Sequence, residues 1–126
     1  MTKFGCGGCR TRVSGNCNGT VSQHRKTYGE TRASCQALCE QYPNNGTTGC
    51  VGLNFESSTG HCGLHTYKST PLSPAPAGFS WSDDGMYGIV GTPITCVQGL
   101  SGYECWQQVN THAHTQRHSD THTPTN

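Results

Sequence analysis

The sequence predicts an α+β fold: a small, curved antiparallel sheet with one helix packed on it, stapled by disulfides. Three observations carry this. Nine cysteines accompany a hydrophobic fraction of only 31% in 126 residues. That is a weak apolar supply for a self-sufficient core, and cross-links are the usual supplement in secreted domains. One segment has helical periodicity, and several short runs around it alternate with period two between turn residues.

The helix is TRASCQALCEQY. Thr31 suits the N-cap, and Pro43 follows just past the end. Cys35, Leu38, Cys39 and Tyr42 fall at i, i+3, i+4 and i+7, which is one face. VGLNFE (51–56) alternates, so Val51, Leu53 and Phe55 are expected to point one way from a half-buried strand. SSTG (57–60) reads as a tight turn and HCGLHT (61–66) as the return strand. KSTPLSPAPAG (68–78) reads as a Pro/Ser linker loop. FSWSDDGMYGIV places aromatics around an Asp-Asp-Gly turn. GYECWQQV (102–109) reads as a last strand, with Tyr103, Cys105 and Gln107 on one face and Trp106 on the other. Three regions follow: a Gly/Cys lead at 1–8, a folded domain at 9–109, and a His/Thr-rich extended tail at 110–126 that lacks any large apolar side chain.

Cys35 and Cys39 share the helix face that would lie on the sheet. Cys50 precedes the central strand, and Cys62 sits on its hairpin partner. A nested pairing, Cys39 to Cys50 and Cys35 to Cys62, would tie helix to hairpin at two levels. Four cysteines nevertheless permit three patterns.

The run SCQALCEQYPNNGTTGCVGLNFESSTGHCGLHT resembles the core of a PAN/apple domain. It carries a helix with C-x-x-x-C, a C-x-G-x-x-(F/Y) strand and a C-x-L return strand. GCRTRVSGNCNGT resembles that family's opening strand and GYECWQQV its closing strand, as in PAN modules of algal and protist secreted proteins. The resemblance spans roughly residues 5–109. It implies a five-stranded antiparallel sheet around one helix, the nested disulfides, and a further disulfide joining the opening and closing strands. By position that further bridge is Cys9 with Cys105. Cys6, Cys17 and Cys96 exceed the simple family pattern. Cys17 with Cys96 is the expected fourth bridge, leaving Cys6 as a free or intermolecular thiol.

Other features bound the function. The formal charge is +1, so no basic field marks a nucleic-acid partner. No run approaches the ~20 apolar residues of a membrane span. MTKFGCGGCR has no apolar signal region, so the chain reads as a mature product, an excised piece of a larger secreted protein or an incomplete gene model. Asn18-Gly-Thr and Asn45-Gly-Thr are N-glycosylation sequons in loop-like segments. Ser73, Pro74 and Pro76 resemble O-glycosylated wall-protein stretches, and Thr123 and Thr125 resemble mucin-like segments; a plain extended linker is the alternative. CGGC (6–9) lacks the second close pair a zinc knuckle needs. His112, His114, His118 and His122 could share one face of an extended strand and bind a divalent metal; a tail without fixed structure is the plainer reading. His61 and His65 share a face of the return strand, where solvated histidines are the ordinary expectation. No catalytic motif emerges, and no cofactor is expected.

The sequence therefore points to a non-enzymatic extracellular binding or adhesion module for a protein or carbohydrate. Trp81, Tyr87, Tyr103 and Trp106 are the candidate ligand contacts. The first alternative is a glycosylated structural subunit of a fibre or sheath, a homo-oligomer or filament assembling through its tail. The second is a His/Cys metal-binding protein.

Overall fold

The computed structural model describes residues 1–83 and 93–110. They form a small disulfide-rich α+β fold. Nine strands are β1 (Thr2–Cys6), β2 (Gly8–Val13), β3 (Asn16–Gly19), β4 (Gln23–Lys26), β5 (Cys50–Glu56), β6 (His61–Thr66), β7 (Ser80–Ser82), β8 (Cys96–Gln98) and β9 (Tyr103–Gln107). The one helix, α1, spans Arg32–Glu40. A six-stranded sheet runs in the order β1-β9-β5-β6-β4-β7, and a three-stranded sheet in the order β3-β2-β8. Every pairing in both is antiparallel.

The helix begins where its cap residues dictate. The Thr31 side chain accepts from the Ser34 backbone N–H at 3.0 Å, and the Thr31 N–H donates to Ser34 Oγ at 2.9 Å. Two otherwise orphaned donors are thus satisfied. At the other end, the Gln108 amide nitrogen stands 3.1 Å from the Cys39 carbonyl, 3.0 Å from that of Tyr42 and 2.7 Å from that of Cys50. One side chain just past β9 therefore ties the helix end to the start of β5.

The sheet buries both faces. Cys35 and Cys39 of α1 pack with Cys50, Leu53, Phe55, Cys62, Leu64 and Leu72, flanked by Leu38, Tyr42 and Trp106. A second cluster, of Cys9, Val21, Val51, Tyr67, Ile94 and Cys105, fills the space between the two sheets. β5 is consequently buried at every residue except Glu56, not half-buried as its alternation suggested. Val51 also leaves the side of Leu53 and Phe55. A register irregularity between Cys50 and Gly52 adds a residue, and such a bulge reverses the alternation beyond it.

Three further expectations change. The lead at 1–8 is not outside the sheet: residues 2–6 pair with β9 as an edge strand, because β9 has a free ladder edge that this run can satisfy. The main sheet has six strands rather than the five implied by the resemblance, with a second sheet beside it. The loop at 68–78 is packed rather than a plain linker. Leu72 is buried, its N–H donates to His24 Nε2 at 3.0 Å, and the Tyr42 hydroxyl donates to the Pro74 carbonyl at 2.6 Å.

Four disulfides cross this framework: Cys35–Cys62 and Cys39–Cys50 join α1 to the central hairpin, Cys9–Cys105 joins the two sheets, and Cys17–Cys96 links the outer strands of the smaller sheet. Cys6 carries a free, exposed thiol.

Candidate functional site

The face of the main sheet turned away from α1 holds a polar cavity. Strand neighbours in register share a face. Gln23 pairs with His65 and Arg25 with Gly63; His65 pairs with Gly52 and Gly63 with Asn54; Glu56 pairs with both His61 and Tyr103. The second sheet closes one side, bringing Cys9 and Arg10 over the same face. The result is a cavity of about 240 Å³ whose walls include Arg10, Gln23, Arg25, Asn54, His61, His65 and Tyr103. A hollow of about 350 Å³ continues from it, sharing Arg25, His61 and Tyr103 and adding Thr27, Glu56 and Thr59.

Glycine makes part of this room. A Cβ on Gly63 would collide with Gln23 Oε1. The bare backbone there lets the Gln23 side chain lie across the strand. Asn54 is fixed differently: its Oδ1 accepts from the Cys9 N–H at 2.8 Å, in a fully buried contact between the two sheets.

The electrostatics of the walls are unusual for a structural surface. His65 is 2% exposed, and its ring nitrogens make no well-formed hydrogen bond, though the Ser22 backbone lies beside the ring; Gln23 Oε1, His61 Nδ1 and, on the helix side, His24 Nδ1 are likewise buried without a partner. Buried polar atoms are normally satisfied, and each exception calls for a reason. Burial pushes the His65 pKa down to about 3, the nearby Arg10 charge adds to this, and the Ser22 backbone opposes it. The imidazole is therefore neutral at ordinary pH. His61 is lowered by burial and then by Arg25, with Glu56 opposing. The His61 and Tyr103 rings meet edge to face at 5.2 Å. Three ion pairs join described residues: the Met1 ammonium with Glu40, Lys26 with Glu30, and Arg32 with Glu104. Neither cavity arginine takes part in one.

The aromatic candidates do not converge. Tyr103 lines the cavity and its extension. Trp106 alternates to the helix side, packs on the core there and donates to Glu104 at 2.9 Å. Trp81 packs against His24, with ring centroids 4.8 Å apart. His24 sits on the helix side, since its ring receives the Leu72 N–H. Tyr87 lies outside the described residues, as do Thr123, Thr125, His112, His114, His118 and His122.

Of the glycan candidates, Asn45 is exposed, and its Oδ1 accepts from the Thr47 hydroxyl at 3.2 Å. Asn18 is exposed too, but in β3 rather than a loop. Ser73 and Pro74 are exposed; Pro76 is buried, which removes it as a sugar attachment point because it packs into the folded loop. Asp83, read as a turn residue, accepts from the Ser69 N–H at 2.8 Å and the Ser69 hydroxyl at 2.9 Å, and so holds the 68–70 loop.

His61 and His65 were legible as a shared face, but His65 is buried rather than solvated. Arg10, Gln23, Arg25 and Asn54 carry no motif. Only the register of four strands and the stacking of a second sheet bring them together. Among the described residues no helix is long and apolar enough to cross a membrane, and no cluster of three His, Cys, Asp or Glu side chains could hold a metal.

No family model matches this chain, and neither does any curated protein or solved structure.

Proposed function

We propose that this chain is a non-enzymatic extracellular binding module, a PAN/apple-like domain whose ligand is a protein or a carbohydrate. The observation that carries the reading is the cavity behind the sheet, where buried polar atoms stand without partners in the protein. Of the five such atoms among the described residues, four belong to Gln23, His61 and His65 around this cavity, and the fifth is His24 Nδ1 on the helix side; a ligand is what can complete a cluster of this kind. Four disulfides suit an oxidising compartment, and the two exposed sequon asparagines fit the same setting. The nested bridges from helix to hairpin and the bridge between Cys9 and Cys105 support the PAN/apple reading.

The test is a screen of the oxidised full-length chain against arrays of neutral glycans, acidic glycans and peptides. Saturable binding that a His65→Gln variant alters is the expected result. A folded chain that binds nothing on any array would sink the reading.

A fibre subunit is the second reading. It is favoured by β1, an outer strand of the main sheet that is exposed along most of its length and carries the free Cys6. Such an edge accepts an added strand. Concentration-dependent polymers in sedimentation, lost on deleting residues 110–126, would support it; a monomer at all concentrations would remove it.

A further inference from the structure

The cavity's chemistry narrows the ligand class, on the premise that the chain is a binding module. Arg10 arrives from the smaller sheet and Arg25 from β4, and both line the same 240 Å³ space. No carboxylate among the described residues lies within ion-pair distance of either. Two guanidinium groups line one half-open space without an ion-paired carboxylate and raise the local positive potential; Glu56 lines the adjoining hollow, beyond ion-pair distance of Arg25. Guanidinium geometry matches a planar carboxylate, which it can hold through two parallel hydrogen bonds. A metal cation is disfavoured by the same two charges.

The remaining groups ask for something other than charge. Gln23 Oε1 can only accept a hydrogen bond. The His65 imidazole, neutral and 98% removed from solvent, offers one donor and one acceptor; only the Ser22 backbone lies beside it, so at least one ring nitrogen is left to a ligand. A ligand that complements this set carries a carboxylate together with several hydroxyls, each able to donate and accept. Tyr103 and the extension past Thr27, Glu56 and Thr59 supply a path by which a chain can leave the cavity.

We propose that this cavity binds a uronic acid residue of an acidic polysaccharide. The carboxylate lies between Arg10 and Arg25, and sugar hydroxyls complete Gln23, His61 and His65. The chain of the polysaccharide continues across Arg25 and Tyr103 into the adjoining hollow.

The test is isothermal titration of the oxidised full-length protein with a galacturonic acid hexamer, a glucose hexamer and a glutamate hexapeptide. The uronate hexamer is expected to bind, the glucose hexamer to bind at least tenfold more weakly, and the peptide likewise. Arg25 is exposed, so Arg25→Ala should fold normally, and it should weaken uronate binding about tenfold or more. Arg10→Gln should do the same, with near-ultraviolet circular dichroism as the folding control. Equal or tighter binding of the peptide would overturn the sugar assignment in favour of an acidic protein segment. Uronate binding unchanged by both arginine variants would overturn the cavity assignment. Absence of uronate binding, while another glycan or peptide on the arrays still binds, would overturn this inference and leave the binding-module reading intact.

Discussion

The two faces of the main sheet are built to different standards. On the helix side, two disulfides, a capped helix and an apolar cluster leave the Gln108 amide saturated and the Glu104 carboxylate held by Arg32 and Trp106. On the other side, within the same strands, Gln23, His61 and His65 bury four polar atoms without a well-formed partner, against the single His24 Nδ1 on the helix side. The strands are shared, so chain connectivity does not explain the contrast. The helix face spends its residues on stability, and the cavity face holds more unanswered polar groups, at a cost to stability that a bound ligand would offset.

The sharpest way to break the comparison is to remove one staple from each side. Cys9–Cys105 encloses a sequence separation of 96, and Cys39–Cys50 one of 11. The chain-entropy model gives about 4.5 kcal/mol for the first and about 3 kcal/mol for the second. Urea unfolding of the two paired Cys→Ala variants should reproduce that order. Cys9 also lines the cavity, so its loss should abolish ligand binding, whereas the helix-side variant should keep binding while folded. A helix-side variant that loses binding too would mean the faces are not separable.

The next effect is acid sensitivity, and it belongs to the cavity side. His65 titrates near its ordinary value when unfolded but at about 3 when folded. Between those values the unfolded chain binds a proton that the folded one refuses. Stability is therefore complete above about pH 6.5 and declines as pH falls towards 3. From pH 7 to 5 the loss is about 2 kcal/mol for this group alone. His24, also lowered by burial, acts in the same direction. Denaturation curves at the two pH values should show the drop, and His65→Gln should reduce it by most of that amount. An unchanged pH dependence would show that His65 is not buried as a neutral ring.

Much of the helix side was written in local sequence. Thr31, the i, i+3, i+4, i+7 spacing of Cys35, Leu38, Cys39 and Tyr42, and the SSTG turn are short-range signals that need no knowledge of the rest of the chain. The cavity side was not, because its parts come from β2, β4, β5, β6 and β9. Arg25 says nothing until β4 is known to lie beside β6, and Arg10 nothing until a second sheet covers the first. The bulge that turns Val51 away from Leu53 has no residue signature either, since it arises from how β5 pairs with its neighbours. Even His65 was legible only as sharing a face with His61; its burial depends on the covering sheet.

The smallest effect returns to the helix side and checks that it stabilises rather than binds. Arg32 makes two hydrogen bonds to Glu104, both 2.8 Å, from the start of α1 to β9. The Arg32 bonds chiefly, then the Trp106 bond, hold the Glu104 carboxyl at about 2, below its usual range. Because the folded value lies below the unfolded one, this contribution is present above about pH 4.5 and is lost as pH falls towards 2. Arg32 is half exposed, so solvent screens the pair, and about 1 kcal/mol is the expected scale. Glu104→Gln should therefore lower stability by about that much at pH 7 and by less at pH 3, with ligand binding untouched. The His65 effect begins at a higher pH than this one. Acid titration of the unfolding free energy should consequently show two regions of loss: the upper removed by His65→Gln, the lower by Glu104→Gln. A Glu104→Gln protein that binds ligand differently would mean that the helix face, too, takes part in recognition.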